Sequence, residues 1–121
     1  MSTKDITAAE FNGIISDNDI VLVDFWASWC GPCRAFAPTF TASSEKHPDV
    51  FHAKVDTEAE HALASAAEIQ AIPTLMAFKK GQLVFRHSGM LAANQLDEVI
   101  SQIKEFDIDA AMAEKGDGTD V

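Results

Sequence analysis

The chain has 121 residues, of which 47% are apolar and 23% are charged, a balance typical of one compact domain with its own core. No apolar run approaches the roughly 20 residues of a membrane span, and the start lacks the pattern of a secretory signal. A net charge of −10 disfavours nucleic acid and anionic lipid as partners. We therefore expect a cytoplasmic protein that binds neither nucleic acid nor membranes.

The predicted elements begin with a helix and a buried strand. Thr7 and Glu10 have the spacing of a capping box, which predicts a helix to about Ser16. A turn cluster at residues 17–19 follows. The nearly unbroken apolar run at residues 20–26, rich in β-branched side chains, predicts a central strand buried on both faces.

The middle of the chain continues the alternation of helices and strands. A helix is predicted from the Cys30-Gly31-Pro32-Cys33 segment to about Lys46. A strand at residues 50–56 and an Ala-rich helix at residues 60–67 come next. These elements follow one another without long linkers or repeats.

The last elements are a hairpin and an amphipathic helix. Strands are predicted at residues 74–78 and 83–87, joined by a tight turn at Lys80-Gly81. The helix at residues 94–105 carries its apolar side chains on one face. Strand–helix alternation followed by a hairpin predicts an α/β fold with a mixed sheet flanked by helices.

The end of the chain is acidic. Residues 105–121 hold six acidic side chains against Lys115 alone, which makes −5. We expect a domain over residues 1–106 and an acidic extension over residues 107–121 that can be removed without loss of fold. Within the extension, Asp109 could cap a short helix ending at Gly116, with Ile108 and Met112 on one side.

The two cysteines carry the chemistry. They are three residues apart, directly after a buried strand and at the start of a helix. The unpaired N–H groups and positive dipole end of a helix N-terminus favour a thiolate, which is the nucleophile in disulfide exchange. We expect Cys30 to be the exposed attacking sulfur and Cys33 to be shielded until it resolves the mixed disulfide, with Gly31 and Pro32 holding the turn.

Two other uses of the pair are weighed. Two thiolates are half of a tetrahedral zinc site, but no other group with ligand spacing completes it, so no metal is expected. A purely structural disulfide would close a tiny loop and constrain little. The four histidines are expected to be solvated surface groups: His47, His52, His61 and His87.

The wider sequence resembles the thioredoxin family over about residues 5–106. The active-site segment is Asp24-Phe25-Trp26-Ala27-Ser28-Trp29-Cys30-Gly31-Pro32-Cys33-Arg34, with Ala37-Pro38 beyond. The later landmarks occur in order: Ala53-Lys54-Val55-Asp56, Ile72-Pro73-Thr74, Phe78-Lys79-Lys80-Gly81 and Ser88-Gly89. The resemblance implies a central sheet of five strands between four helices and a cis bond at Ile72-Pro73.

The resemblance also implies roles for individual residues. Asp24, an acid in an apolar strand, would accept the proton of Cys33 with Lys54 nearby, and burial should raise the pKa of its carboxyl. The alternative is a paired core acid. The target-binding groove around Cys30 would comprise Trp29, Gly31, Pro32, Ile72, Pro73, Gly89 and Met90, although core packing, expected for Trp26 and Phe25, is the alternative for such residues. Ser88 and Met90 depart from the smaller apolar residues common there.

By the same resemblance, the chain would reduce disulfides of partner proteins through a redox-active Cys30–Cys33 disulfide. It would act as a monomer without a bound cofactor, recharged by a thioredoxin reductase that passes electrons from NADPH through a flavin. Two alternatives are a disulfide-forming or isomerising enzyme and a non-enzymatic binding subunit. The first usually has a signal peptide and a residue other than Pro32 between the cysteines, and retention of both cysteines argues against loss of chemistry.

Overall fold

The computed structural model describes residues 3–111. Its strands are β1 (Thr3–Asp5), β2 (Ile20–Trp26), β3 (Phe51–Asp56), β4 (Thr74–Lys79) and β5 (Gln82–Ser88). Its helices are α1 (Ala8–Asp17), α2 (Gly31–Lys46), α3 (His61–Ala66) and α4 (Ala93–Glu105), followed by a short helix, α5, at residues 108–111.

The five strands form one mixed sheet in the order β1-β3-β2-β4-β5. β3 is parallel to β1 and β2, whereas β4 is antiparallel to β2 and β5. The central strand β2 is buried along its length except at Trp26, which is half-buried. The α/β fold with a five-stranded mixed sheet is confirmed.

Alternate residues of β2 enter two separate cores. Leu22 packs on one face with Phe36 and Phe40 of α2 and with the apolar side of α4. Val23 packs on the other face with residues that include Phe11 of α1. Because side chains alternate along a strand, Asp24 lies on the same face as Leu22, beneath α2.

Two elements differ from the expected set. β1 has only three residues, without an apolar pattern, and forms by pairing with β3 at one edge of the sheet. The helices number five in the described part of the chain, not four, because α5 follows α4. Asp107, rather than Asp109, caps α5: its Oδ1 accepts a hydrogen bond of 3.0 Å from the Ala110 N–H. Met112 and Gly116 lie outside the described residues.

The short helix α5 is attached to the body of the domain. Ile108 is only 4% exposed, and Asp109 forms an ion pair of 2.7 Å with Lys80 in the β4–β5 turn. The division at residue 106 stays a prediction, but the segment that follows is not separate from the core. Removal of residues 107–121 would expose apolar surface that Ile108 covers.

The helix starts are stabilised by side chains. The Thr7 N–H donates to the Glu10 carboxylate at 3.0 Å, which confirms the interaction expected at the start of α1. At α4, the Ala92 N–H donates to the side-chain oxygen of Gln95 at 2.9 Å, so the helix begins one residue before the predicted start without a capping hydroxyl or carboxylate.

One histidine prediction is wrong. His52 is fully buried, with Nε2 2.9 Å from the Ser43 hydroxyl and Nδ1 2.9 Å from the Val50 carbonyl oxygen. Because a carbonyl oxygen only accepts, Nδ1 carries the proton and Nε2 accepts from Ser43. Burial lowers the pKa of His52, so the ring is a neutral, hydrogen-bonded core group.

Lys79, at the end of β4, is buried and caps the C-terminal end of α4. Its ammonium donates to the carbonyl oxygens of Ile103, Lys104 and Phe106 at 2.7, 3.1 and 2.7 Å. The end of a helix leaves such carbonyls short of partners; here the Ile103 oxygen also accepts from the Phe106 N–H at 3.2 Å. Across residues 3–111, no helix is long and apolar enough to cross a membrane.

Candidate active site

Cys30 and Cys33 are joined by a disulfide at the carboxyl end of the central strand. Cys30 is the N-cap residue of α2, and the Cys33 N–H donates to its Sγ at 3.1 Å. Pro32 lies in the first turn, where a missing N–H costs nothing. The helix N-terminus therefore points an N–H group and its positive dipole end at the sulfur of Cys30.

The expected difference in exposure between the two cysteines is not found. Both residues are 4% exposed in the disulfide state. Cys30 is covered because it packs with Ala27, Trp26 and Ile72. The asymmetry between the sulfurs lies in their surroundings: Cys30 Sγ is 3.7 Å from the Ile72 carbonyl oxygen, whereas Cys33 lies inside α2.

The loop before β4 faces the disulfide. The Ile72–Pro73 peptide bond is cis, as the resemblance implies. The Pro73 carbonyl oxygen accepts a hydrogen bond of 2.8 Å from the Gly89 N–H, which ties the loop to the end of β5. Gly89 has φ +104°, a value that side-chain-bearing residues rarely adopt, so glycine is required at this turn.

Apolar surface lies beside the disulfide. Trp29 is 66% exposed, and its Nε1 donates to the Glu58 carboxylate at 3.3 Å. Trp29 and Ile72 line one side of a depression of about 190 Å³, with Thr57 and Ala71 among its other residues. Sequence reasoning missed Glu58, because its link to Trp29 spans 29 residues and has no local pattern.

The other predicted groove residues are accessible to different degrees. Gly31, Pro32 and Gly89 are exposed, and Met90 is 45% exposed, whereas Pro73 is buried. Their participation in target binding stays a prediction. An apolar depression with accessible backbone beside it suits an extended peptide segment.

Asp24 is a buried acid whose carboxyl has a raised pKa. It is 1% exposed, and neither of its carboxylate oxygens has a hydrogen-bond partner among residues 3–111. Burial raises the pKa of Asp24 to about 7, and the charge of Lys54 opposes this rise. Among residues 3–111 the carboxyl thus lacks the partner that a paired core acid would have, and the role of Asp24 as a proton acceptor stays a prediction.

Lys54 is the neighbour of Asp24 on β3. The two residues are directly opposite in the parallel register, so their side chains share one face of the sheet. The ammonium of Lys54 lies 5.0 Å from the centre of the Trp26 ring. Trp26, expected only to pack in the core, thus packs against the cluster of Ala27, Cys30 and Cys33 and also lies against Lys54.

These features define the class of protein. A CxxC disulfide is at a helix N-terminus, a buried carboxyl with a raised pKa lies on the core face beneath that helix, and apolar surface adjoins Cys30. Such an arrangement performs dithiol–disulfide exchange, so the chain is a dithiol–disulfide oxidoreductase. Among the described residues no group of three or more acidic, histidine or cysteine side chains is placed to hold a metal ion.

Comparison with known proteins places this class in a family. Residues 2–104 match the Thioredoxin family. A putative thioredoxin 2 of Streptomyces coelicolor is 44% identical over 108 residues, which cover 89% of this chain and 81% of the relative. Thioredoxin-1 of Saccharomyces cerevisiae is 39% identical over 89 residues, or 74% and 86% of the two chains.

Comparison with solved structures supports the same family. A mutant thioredoxin from Halobacterium salinarum superimposes with a TM-score of 0.82 at 34% identity, covering 88% of this chain and 94% of that one. The chain belongs to the thioredoxin family. It is a thioredoxin-type protein disulfide oxidoreductase that exchanges disulfides with partner proteins through Cys30 and Cys33.

Proposed function

We propose that the chain works in the reducing direction, with Cys30 as the attacking sulfur, Cys33 as the resolving sulfur and Asp24 as the proton acceptor for Cys33. The observation that carries this assignment is the position of Cys30 at the N-cap of α2, with the Cys33 N–H donating to its Sγ at 3.1 Å. A hydrogen bond and a helix dipole both stabilise a thiolate on Cys30, and a thiolate is the attacking species.

The reaction has two exchange steps. In the first, the Cys30 thiolate attacks one sulfur of a target disulfide, forms a Cys30–target disulfide and releases the other target sulfur as a thiolate. In the second, Cys33 gives its proton to Asp24 and attacks the Cys30 sulfur, which releases the target as a dithiol after protonation. The chain ends with the Cys30–Cys33 disulfide, and two electrons have passed to the target.

Asp24 suits the second step because its environment is tuned to neutral pH. A carboxyl with a pKa near 7 is ionised often enough to accept a proton and protonated often enough to return it. Lys54, opposite it on β3, supports the ionised form through its charge. Both residues therefore belong to the proton-transfer part of the site.

The target surface comprises Trp29, Gly31, Pro32, Ile72, Pro73, Gly89 and Met90. The support for it is the depression lined by Trp29 and Ile72 and the position of the Ile72 carbonyl oxygen 3.7 Å from Cys30 Sγ. An extended target strand lying there would bring its disulfide onto Cys30. Protein substrates fit this surface because extended backbone, rather than one fixed side chain, is recognised.

The oxidised chain needs a source of electrons. A thioredoxin reductase that carries electrons from NADPH through a flavin is the proposed donor, and family membership supports it. No cofactor is bound to the chain itself, since both electrons reside in the two thiols. The cytoplasm suits a dithiol that must be returned to its reduced form, because thiols are kept reduced there.

A net charge of −10 supports a monomer, because like-charged copies repel.

The assignment is tested by trapping. Cys33→Ser leaves Cys30 able to attack but removes the resolving sulfur, so a mixed disulfide between Cys30 and its target accumulates. Cys30→Ser is the matched control and should accumulate none. Mass spectrometry locates the adducts, and insulin reduction with NADPH and a thioredoxin reductase measures turnover of the parent. Adducts on Cys33 in the control, with none on Cys30 in the test variant, would contradict the assignment.

A further inference from the structure

The side chain of Lys54 lies against an aromatic ring. Its ammonium lies 5.0 Å from the centre of the Trp26 indole. Lys54 is only half-buried, so its long side chain could otherwise extend into water. The face of an indole attracts an ammonium group, most strongly where water is partly excluded.

Trp26 is also tied to the cysteine pair and to the end of β2. It packs against the cluster that contains Cys30 and Cys33. Its carbonyl oxygen accepts hydrogen bonds of 2.9 and 3.0 Å from the N–H and hydroxyl of Thr57. The Trp26 backbone is therefore anchored at the end of β2, and its indole packs against the cysteine cluster on one side and the Lys54 ammonium on another, with its own N–H unpaired among the described residues.

Lys54 acts on Asp24 without a direct hydrogen bond. The two residues are opposite in the register of β2 and β3, but both carboxylate oxygens of Asp24 are without hydrogen-bond partners in the described chain. The electrostatic interaction between the two groups depends on the distance between the ammonium and the carboxyl. That distance is set by the contacts that the ammonium makes with its other neighbours. A group that holds the ammonium in place consequently controls its effect on the carboxyl.

Other charged groups on this face are few. β4 places the apolar Leu75 opposite Asp24, and α4 contributes apolar side chains to the same core. By strand register and alternation, and by the packing of α2, the titratable residues on this side of the sheet are Asp5, Cys33, His52, Lys54, Asp56, Lys79 and His87. Lys79 is opposite Ile20, at the far end of the sheet from Cys33, and its ammonium donates to carbonyl oxygens at the end of α4. Lys54 is the cation directly opposite Asp24.

We propose that Trp26 is a positioning residue of the exchange reaction: its indole holds the Lys54 ammonium facing Asp24 and so keeps Asp24 able to accept the proton of Cys33. The inference rests on the proposed role of Asp24 as the acceptor. It gives Trp26 a function in proton transfer in addition to its packing against the cysteines. No contact between Trp26 and the target is needed for this function.

Trp26→Leu removes the indole face and part of the ring's volume while keeping the position apolar. Without the ring, the ammonium moves toward solvent, and the ionisation midpoint of Asp24 should rise by about one pH unit. Carboxyl ¹³C shifts of the oxidised protein, labelled at aspartate, measure that midpoint directly. Single-turnover reduction of a protein disulfide should slow by up to about tenfold at pH 6 and be nearly unchanged at pH 9, where the carboxyl is ionised in both proteins.

The matched control is the same substitution in a Lys54→Met background. If Trp26 acts through Lys54, Trp26→Leu should add little to the shift that Lys54→Met causes alone. Trp26→Phe keeps an aromatic face of weaker attraction, so its shift should be smaller than that of Trp26→Leu. This conservative variant also serves as the test protein if Trp26→Leu does not fold.

The outcomes separate the two proposals. An equal shift from Trp26→Leu with and without Lys54 would overturn the positioning role, because the ring would then act by packing alone. No shift from either Trp26 variant would overturn it as well. If Asp24→Asn keeps the parent pH–rate profile, the acceptor role of Asp24 is wrong, whatever the carboxyl shifts show for Trp26.

Discussion

At the scale of single residues, the proposed proton acceptor Asp24 carries a cost to folding. The carboxyl is buried among apolar groups and has no hydrogen-bond partner among the described residues. Its protonated form suits this environment, whereas its ionised form is penalised. A group selected for stability alone would be apolar or paired, so the site keeps an acid there at the expense of stability.

Asp24→Asn should therefore be more stable than the parent at neutral pH. The folded-state pKa of about 7 lies above the usual value of 3.8, so the folded protein holds a proton that the unfolded chain releases. Below pH 3.8 both states hold the proton, and the folded protein has its full stability. As the pH rises from 3.8 toward 7, the free energy of unfolding falls by up to roughly 4 kcal/mol. Denaturant unfolding at pH 4 and pH 7 should show a gain at pH 7 that closes at pH 4.

The same variant should reduce disulfides more slowly, since Cys33 loses its proton acceptor while Cys30 is untouched. Stability and activity would then change in opposite directions. Asp17→Asn, at the exposed end of α1, is the control and should change neither quantity. A variant that is less stable at pH 7 and as fast as the parent would make Asp24 an ordinary core residue.

At the scale of elements, Lys79 joins the sheet to α4. A buried ammonium donates to three carbonyls at the end of α4, of which, within residues 3–111, only that of Ile103 also has a backbone donor. The interaction also holds Phe106, the residue from which the chain leaves α4. Lys79 therefore fixes both the end of the helix and the direction of the segment after it.

Lys79→Met keeps most of the side-chain volume but removes the donors. The free energy of unfolding should fall by about 2–3 kcal/mol, because hydrogen bonds from a charged group are lost and carbonyls are left unpaired. Lys80→Met is the control: its ion pair with Asp109 is exposed, so the loss should be much smaller than that of Lys79→Met. Equal losses from the two substitutions in urea unfolding would show that the three carbonyls do not depend on Lys79.

The elements also show which features a sequence reveals. The capping box of Thr7 and Glu10 and the β-branched run at residues 20–26 are local patterns, and the structure contains the helix and strand that they predict. β1 could not be predicted from its three residues, because it exists only through pairing with β3. Local patterns encode elements, whereas pairing depends on residues far along the chain.

The residues of the site likewise include some that a local pattern predicts and some that only the folded structure brings together. The cysteine pair at a helix start and the buried acid are visible in a short stretch of sequence, and resemblance supplied the cis-proline loop and Lys54. The hydrogen bond between Trp29 and Glu58 spans 29 positions, and the contact between Trp26 and Lys54 joins two strands. The prediction of an exposed His52 is wrong because its partner Ser43 lies on α2. Only the packed structure shows the hydrogen bond between the imidazole and the Ser43 hydroxyl.

At the scale of the whole molecule, the boundary of the domain determines what the acidic end contributes. Ile108 is buried, and Asp109 pairs with Lys80 across 29 residues. The opening of the predicted extension is thus part of the packed body. The redox site is assembled from β2, α2, β3 and the loop before β4, none of which includes residues beyond 106.

Deletion of residues 107–121 should lower stability and preserve reductase activity. Loss of the buried Ile108 removes apolar contacts worth about 2–4 kcal/mol, which corresponds to a drop of several degrees in the unfolding midpoint. Ile108→Ala in the full chain should account for most of that loss. A chain ending at Ala111 keeps every contact described for α5, so its unfolding temperature separates the contribution of α5 from that of residues 112–121.

Thermal unfolding and insulin reduction together check this prediction. A deleted chain as stable as the parent would show that α5 contributes nothing to the core. A deleted chain that folds but fails to reduce insulin would mean that the extension takes part in the reaction or in binding of the reductase.

The placement of the indoles gives the molecule a built-in optical signal. The chain has two tryptophans and no tyrosine, so its near-ultraviolet emission comes from Trp26 and Trp29. Trp26 packs against the cysteine cluster, and Trp29 adjoins Cys30 in the chain. Disulfides quench neighbouring excited indoles by accepting an electron, whereas thiols do so less. Emission should therefore brighten as the pair is reduced, so the redox state of the unlabelled protein can be followed in real time in a cuvette.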